Sequence, residues 1–485
     1  MLCYDNYLLI SFKQYLNIIL SYVLEVSSNM YVWALIVVVA YLIFMLGLGF
    51  YTAKYKIKTA EDLVLAGRRV GVLLVAASLA ANNIGGGSTV GVAARAYGGW
   101  GLSAGWYIMT AALAMIPITY IFYLMRRTRA WTLPDVISER FGPPSHIATS
   151  VLQMISLSTL TASQILASGT IFAALTGLSF ETGVLLSGII TITYTILGGL
   201  WADVLTDFVQ FLMISLGMLI ALPFIITNVG GWDAIVNNVP PSEMNLFKVG
   251  FNTIGSLFFM YIITFITGAE MVSRALASKD EKVAMKGSLL SGLIMGLYAF
   301  VPAIIGLVAL GTMPGIRSSD AYAKVMLGYA PEVIAGIGLA AILAATMSSA
   351  DSDMLGASSI FAIDIWKRYI KKNASDREIL ILTRVGVVVV GVLAMLAALT
   401  GFDIITINTF AFMLRSAGPF APFVLGILWK NVTKEAGFAA IVCGSIAGVY
   451  WRLIGQPYVG DSVFGALVGL AAFILVLMLG RAVKK

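Results

Sequence analysis

Charge, histidine and cysteine are what this chain has little of. Only 11% of its 485 residues are Asp, Glu, Lys or Arg, where soluble domains carry about a quarter. The two cysteines, Cys3 and Cys443, lie too far apart in sequence for any metal or redox spacing. The one histidine, His146, sits beside Pro143 and Pro144 and reads as a solvated loop residue. Zinc chemistry and histidine-based catalysis are therefore poorly supported. No GxxxxGK[ST] loop occurs, so ATP is not an evident energy source. No nucleophile–base pair or metal cluster supports an enzyme. No long polar stretch interrupts the chain as a signalling or nucleotide-binding domain, which argues against a solute sensor.

What is present in excess is apolar sequence, 59% of the chain. It falls in runs of about 20 residues, the length that crosses a hydrocarbon core. Spans are expected near 30–51, 71–92, 100–125, 147–176, 182–200, 203–228, 251–273, 287–311, 333–365, 379–400, 404–428, 436–455 and 462–480. That predicts an all-α integral membrane protein of about 13 transmembrane helices. The 48 glycines suit close helix packing in lipid. Residues 1–29 contain Asp5, Lys13 and Glu25 and make neither a clean span nor a cleavable leader. Met30 is an alternative start.

The net charge of +7 is a matter of placement. Of 31 Lys and Arg, 23 fall at 54–69, 126–140, 274–286, 367–377, 430–434 and 481–485, all on one side of the expected spans. The other side holds six, among them Arg95, Lys248 and Arg452. This positive-inside bias places the C-terminus in the cytoplasm and the N-terminus outside a plasma membrane. It is a topology signal and does not point to nucleic acid.

Two spans carry helix-breaking sequence at their centre. Ala80-Ala81-Asn82-Asn83-Ile84-Gly85-Gly86-Gly87-Ser88-Thr89 lies in one, and Thr267-Gly268-Ala269-Glu270 in the other, five spans later. Helix packing uses small residues three or four apart, not a contiguous triple glycine. Broken backbone is tolerated in a bilayer only where it lines a cavity. Matching breaks in two halves mark an inverted-repeat secondary transporter. A third polar stretch is Ala345-Thr346-Met347-Ser348-Ser349-Ala350-Asp351-Ser352-Asp353. On a helix Ala345, Ser348, Ser349 and Ser352 share a face. Hydroxyls beside carboxylates suit a hard cation that takes oxygen ligands. Asp207 either faces water at a helix start or completes a cation site. Arg415, midway along its span, needs a carboxylate partner, from Glu270, Asp351 or Asp353 or from a solute.

These stretches carry a resemblance to the sodium:solute symporter family of proline, pantothenate, sugar and choline transporters. It runs through Ala60-Glu61-Asp62-Leu63 to Gly67-Arg68-Arg69, through Gly198-Gly199-Leu200 to Thr206-Asp207-Phe208, and through Met347 to Ser352, with Arg274 and Leu276-Ala277-Ser278-Lys279 as a weaker match. The third stretch is nearest the choline branch. The resemblance implies a LeuT-type five-plus-five inverted-repeat core, with repeats at 71–228 and 251–428. An extra helix at 30–51 would precede it and two helices at 436–480 would follow. It implies sodium as coupling ion and alternating access. By position, sodium would be held by carbonyls of Ala81, Ile84 and Ala345 and hydroxyls of Ser348 and Ser349. A second cation would use Asp207, Asp351 and Ser352. Asn83, Ser88, Gly268, Glu270 and Thr409 would face the solute, with Arg415 beside them. Asn83 and Gly268 stand where the choline branch has tryptophans, and the proline branch has an acid at Asn83, so neither cargo follows. If Glu270 and Arg415 both face the pocket, the cargo is an amino acid or another small zwitterion or carboxylate. If they pair with each other, that argument falls.

Overall fold

The structure, a computed structural model, describes residues 31–55, 68–128, 133–197, 200–429 and 431–482. The extension 1–29 and most of the first family-like stretch lie outside the described residues. The chain is helical, and the only β-type pairing among the described residues is a single bridge between Val70 and Ser278. This follows from the solvent. Inside a bilayer each backbone N–H and C=O must be satisfied within the protein, and a helix does so inside one segment.

Helix α1 is Val32–Tyr55. The first broken span is α2 (Val72–Ile84) and α3 (Gly86–Arg95), followed by α4 (Trp106–Thr128), α5 (Leu133–Thr176), α6 (Phe180–Leu197) and α7 (Leu200–Asn228). After the short α8 (Trp232–Asn238) comes the second broken span, α9 (Gly250–Thr267) and α10 (Ala269–Ala277). Then follow α11 (Glu281–Tyr298), α12 (Val301–Thr312), α13 (Ala321–Tyr329) and α14 (Glu332–Ser359), which runs on in wider turns to Ile370. The chain ends with α15 (Asp376–Ala398), the bent pair α16 (Ile404–Ser416) and α17 (Phe420–Leu428), α18 (Lys434–Leu453) and α19 (Asp461–Ala482). Among the described residues nine helical stretches are long and apolar enough to cross a membrane, ten with the bent pair counted as one. The other three expected spans fall on α1, α2 and α6, of which α1 has 24 residues and α6 has 18.

The two broken spans lie against each other. The Val70 amide donates to the Ala277 carbonyl at 3.2 Å, and the Lys279 amide donates back to Val70 at 3.0 Å. One helical turn inward, Arg274 Nε donates to Ser78 Oγ at 2.7 Å. Helix α5 braces both breaks with two glutamines. Gln164 Oε1 accepts from the Gly87 amide at 3.2 Å, and Gln153 Nε2 donates to the Thr267 carbonyl at 2.9 Å. The eleven-residue spacing is about three helical turns, so both amides sit on one face.

His146 is not a loop residue. Gly142 takes φ 75° and bends α5, and Pro143 and Pro144 open the new helical segment, where proline is tolerated. His146 is thereby fully buried. Its Nε2 lies 3.2 Å from both Asp364 Oδ1 and Arg368 Nη1, and its Nδ1 lies 3.2 Å from the Tyr369 hydroxyl.

Candidate functional site

The three consecutive glycines have three different jobs. Gly85 carries ψ 171° and separates α2 from α3. Gly86 packs so closely on α14 that a Cβ there would stand 1.9 Å from Thr346 Cγ2 and 2.9 Å from Ile342 Cγ2. Gly87 offers its amide to Gln164. The break is thus also a packing contact, because the open backbone has to be brought against α14. Ser88 Oγ donates to the Asn83 carbonyl and, at 3.0 Å, to the Gly85 carbonyl. Thr89 Oγ1 donates to the Ile84 carbonyl at 2.7 Å. The hydroxyls cover the Asn83 and Ile84 carbonyls at the break, while the Gly85 carbonyl also accepts from the Thr89 amide at 3.1 Å.

Two of the expected cation ligands, Ala81 and Ser349, come close to each other at Gly85. The point a Cβ would occupy there lies 3.4 Å from the Ala81 carbonyl oxygen, 3.7 Å from that of Asn82 and 3.6 Å from Ser349 Oγ. Ile84, Ala345 and Ser348 are buried on the two helices that meet at this point. A carbonyl retains a second lone pair after accepting one hydrogen bond, so Thr89 does not close Ile84 to an ion.

Beside this junction lies a cavity of about 50 Å³, room for a few waters. Of the expected solute residues Asn83, Ser88, Glu270 and Arg415 line it, together with Ser349 from the cation set. Asn83 Nδ2 donates to the Leu79 carbonyl at 2.9 Å and lies 3.8 Å from Met271 Sδ. Gly268, also an expected solute residue, separates α9 from α10 and is not among the lining residues. A Cβ there would meet Glu270 Oε1 at 2.9 Å and Arg415 Nη2 at 3.2 Å. Thr409 does not line the cavity and donates to the Thr406 carbonyl at 3.1 Å. Helix α16 presents Asn408, Phe412 and Arg415 instead, an i, i+4, i+7 face that leaves Thr409 turned away.

Arg415 pairs with Glu270, Nη1 to Oε1 at 2.5 Å, and its Nε donates to Thr264 Oγ1 at 3.0 Å. The guanidinium is 1% exposed and also faces the Phe412 ring. Glu270 is in the first turn of α10, where the helix dipole favours a negative charge. The pair ties α16 to the second break. The argument for a zwitterion with its ends on these two residues therefore falls.

The second cation set is separate. Asp351 is buried, interacts with Thr195 of α6, and leaves Oδ1 without a hydrogen-bond partner. Ser352 is half-buried. Asp207 lies on α7, and its side chain is outside the described residues.

Several lining residues were not expected from the sequence: Asn82, Gln164, Asn408 and Asp353, and an aromatic wall of Tyr107, Tyr261, Phe265 and Phe412. Gln164 and Asn408 carried a signal, since each is a polar side chain deep in an apolar run. The aromatic residues carried none, because aromatics are common throughout such spans.

A family model described as "Sodium:solute symporter family" matches residues 63–444. The chain is 26% identical over 487 residues to the sodium/proline symporter of Staphylococcus aureus strain bovine RF122 / ET3-1, covering 95% of this chain and 94% of that one, and equally so to that of strain JH9. A solved structure of a Na+-coupled sialic acid symporter, substrate-bound and outward-open, superposes with TM-score 0.75 at 21% identity, over 92% of this chain and 98% of the other. A nucleobase-cation-symport-1 family transporter with bromovinylhydantoin bound superposes at TM-score 0.55 and 14% identity, over 87% and 94%.

Proposed function

The chain belongs to the sodium:solute symporter family, and from that premise we propose how its cavity binds and couples ions and cargo. The protein is a multi-pass membrane transporter that carries out sodium-coupled symport of a small solute. Its all-helical fold is of the LeuT type. The coupling sodium is held where the first break meets α14, by carbonyls of Ala81, Ile84 and Ala345 and hydroxyls of Ser348 and Ser349. One observation carries this: the Ala81 carbonyl and the Ser349 hydroxyl converge on Gly85 from different helices. An ion at that point binds α14 to the broken span, so it stabilises one arrangement of the two over the other. Solute bound beside it then gains affinity, and the coupling is reciprocal.

A second cation site at Asp351, Ser352 and Asp207 is supported by the unpartnered Asp351 Oδ1. Inverted repeats at 71–228 and 251–428 agree with breaks at Gly85 and Gly268. The basic loops support a plasma-membrane orientation with the C-terminus in the cytoplasm and the N-terminus outside. The cargo is a small polar solute, with an amino acid favoured by the proline-carrying relatives. Asn83, Ser88 and Gly268 shape its pocket, while Glu270 and Arg415 form the wall as a pair.

Uptake of candidate solutes into proteoliposomes under an imposed sodium gradient tests the coupling. Accumulation should require sodium and collapse when potassium replaces it. Accumulation driven equally by a proton gradient without sodium overturns it, and saturable binding without accumulation assigns a sensor instead.

A further inference from the structure

We infer that Asp353, with the free oxygen of Glu270, forms the subsite that holds a protonated amine of the cargo. The inference rests on reading the cavity as the solute site. Asp353 is 6% exposed and lines the cavity. It is one helical turn beyond Ser349 on the same face of α14. Among the described residues no hydrogen bond to its oxygens is seen, and it lies within electrostatic reach of Glu270, Arg415 and Arg274. Glu270 spends Oε1 on Arg415 and leaves Oε2 buried without a partner. The guanidinium of Arg415 is already engaged by Glu270 and Thr264.

The unpartnered Oε2 of Glu270 and the carboxylate of Asp353 line the cavity from two helices, and burying an acceptor unpaired is costly. An ammonium group supplies up to three N–H donors and a positive charge to such a set. The rest of the lining agrees. Tyr261 stands 5.5 Å from Tyr107, 5.0 Å from Phe265 and 6.0 Å from Phe412, ring centre to ring centre. Such a wall suits the carbon skeleton of an amine and attracts its charge. A cargo with only a carboxylate would meet two acids of its own sign. Asp353 supplies the larger part of this subsite, since Glu270 has one oxygen engaged by Arg415.

The test uses purified full-length protein in mild detergent and ligand-induced shifts in melting temperature. Probes are a panel of free amino acids including L-proline and L-alanine, their N-acetyl derivatives, pyrrolidine, lactate and glucose, each in sodium and in potassium. Wild type should be stabilised in sodium by at least one free amino acid and not by its N-acetyl form. Asp353→Asn should weaken that binding about ten- to a hundredfold, the range for one charged hydrogen-bonded contact. It should keep the wild-type response to sodium alone. Asp353→Glu should recover part of the affinity, and the N-acetyl comparison needs no variant at all. Stabilisation by lactate, glucose or the N-acetyl forms in place of free amines overturns the subsite, as does unaltered amine binding in Asp353→Asn. Loss of the sodium response itself in Asp353→Asn also overturns it, since Asp353 would then be an ion ligand. If wild type binds amines with no response to sodium, the coupling ion is wrong and the subsite stands.

Discussion

Replacing Gly86 by alanine should damage sodium binding through one identifiable atom. The added Cβ would stand 1.9 Å from Thr346 Cγ2, where ordinary contact begins at 3.4 Å. Either α3 or α14 must give by about 1.5 Å, the difference between those two distances. Ile342 blocks the other escape, with Cγ2 at 2.9 Å and its carbonyl oxygen at 3.2 Å. Overpacking of this kind costs about 1–3 kcal/mol. The displaced helices carry the two halves of the proposed ion site, and oxygen ligands hold a hard cation within a few tenths of an ångström. Sodium affinity should fall by roughly tenfold or more, about 1.4 kcal/mol or above. Thr346→Ser removes the offending methyl and keeps the hydroxyl that donates to the Leu343 carbonyl at 2.6 Å. Alone it costs about 1 kcal/mol, a buried methyl. In the double variant the new methyl fills the space of the old one, so the two costs should not add, with a coupling of about 1–2 kcal/mol. Melting temperature ranks the four proteins, and sodium titration of that melt gives the half-saturating concentration. Sodium affinity unchanged in Gly86→Ala refutes the placement of the ion. Strictly additive losses refute the contact as the cause.

Three further outcomes follow from the same geometry. Ser348→Ala and Ser349→Ala should raise the half-saturating sodium concentration of uptake with little change in protein yield, and an unaltered sodium curve removes them from the site. Glu270→Gln leaves a buried arginine without its carboxylate and should cost about 3–5 kcal/mol. Adding Arg415→Met should restore much of that in a thermal melt, and no recovery would mean that the pair is not the dominant contact. Arg95 bonds Asp403 and Thr406 across α3 and α16 at 3.0–3.1 Å and 2.7 Å, but both ion-pair partners are partly exposed. Asp403 also caps α16 by accepting from the Thr406 amide at 3.0 Å. Asp403→Asn keeps the cap and should cost under about 1 kcal/mol, whereas Asp403→Ala should cost about 1 kcal/mol more; equal melting temperatures would remove the cap from the account.

Solvent chemistry made the fold class legible. Apolar runs of bilayer length must be helices, and the two interruptions at Gly85–Gly87 and Gly268 had to line a cavity. The hydroxyls of Ser348 and Ser349 and the acids near them stood out because polar groups in lipid are costly. The same rule picked out Asn83, Ser88, Glu270 and Arg415, which the fold gathers around one cavity.

Pairing and rotation were not legible. Sequence offered Arg415 three carboxylates or a solute, and only the approach of α16 to the second break selected Glu270. A helix repeats every 3.6 residues, so a shift of one position turns a side chain by about 100°. That shift separates Asn408, which faces the cavity, from Thr409, which does not. His146 read as solvated because its sequence neighbours are prolines, yet the bend at Gly142 carries it into the interior against Asp364, Arg368 and Tyr369. Composition and helical period decided that polar groups would meet inside this membrane protein. Which of them neutralise each other, and which are left open to an ion or a cargo, depended on distances between helices far apart in the chain, and only the tertiary structure supplied those.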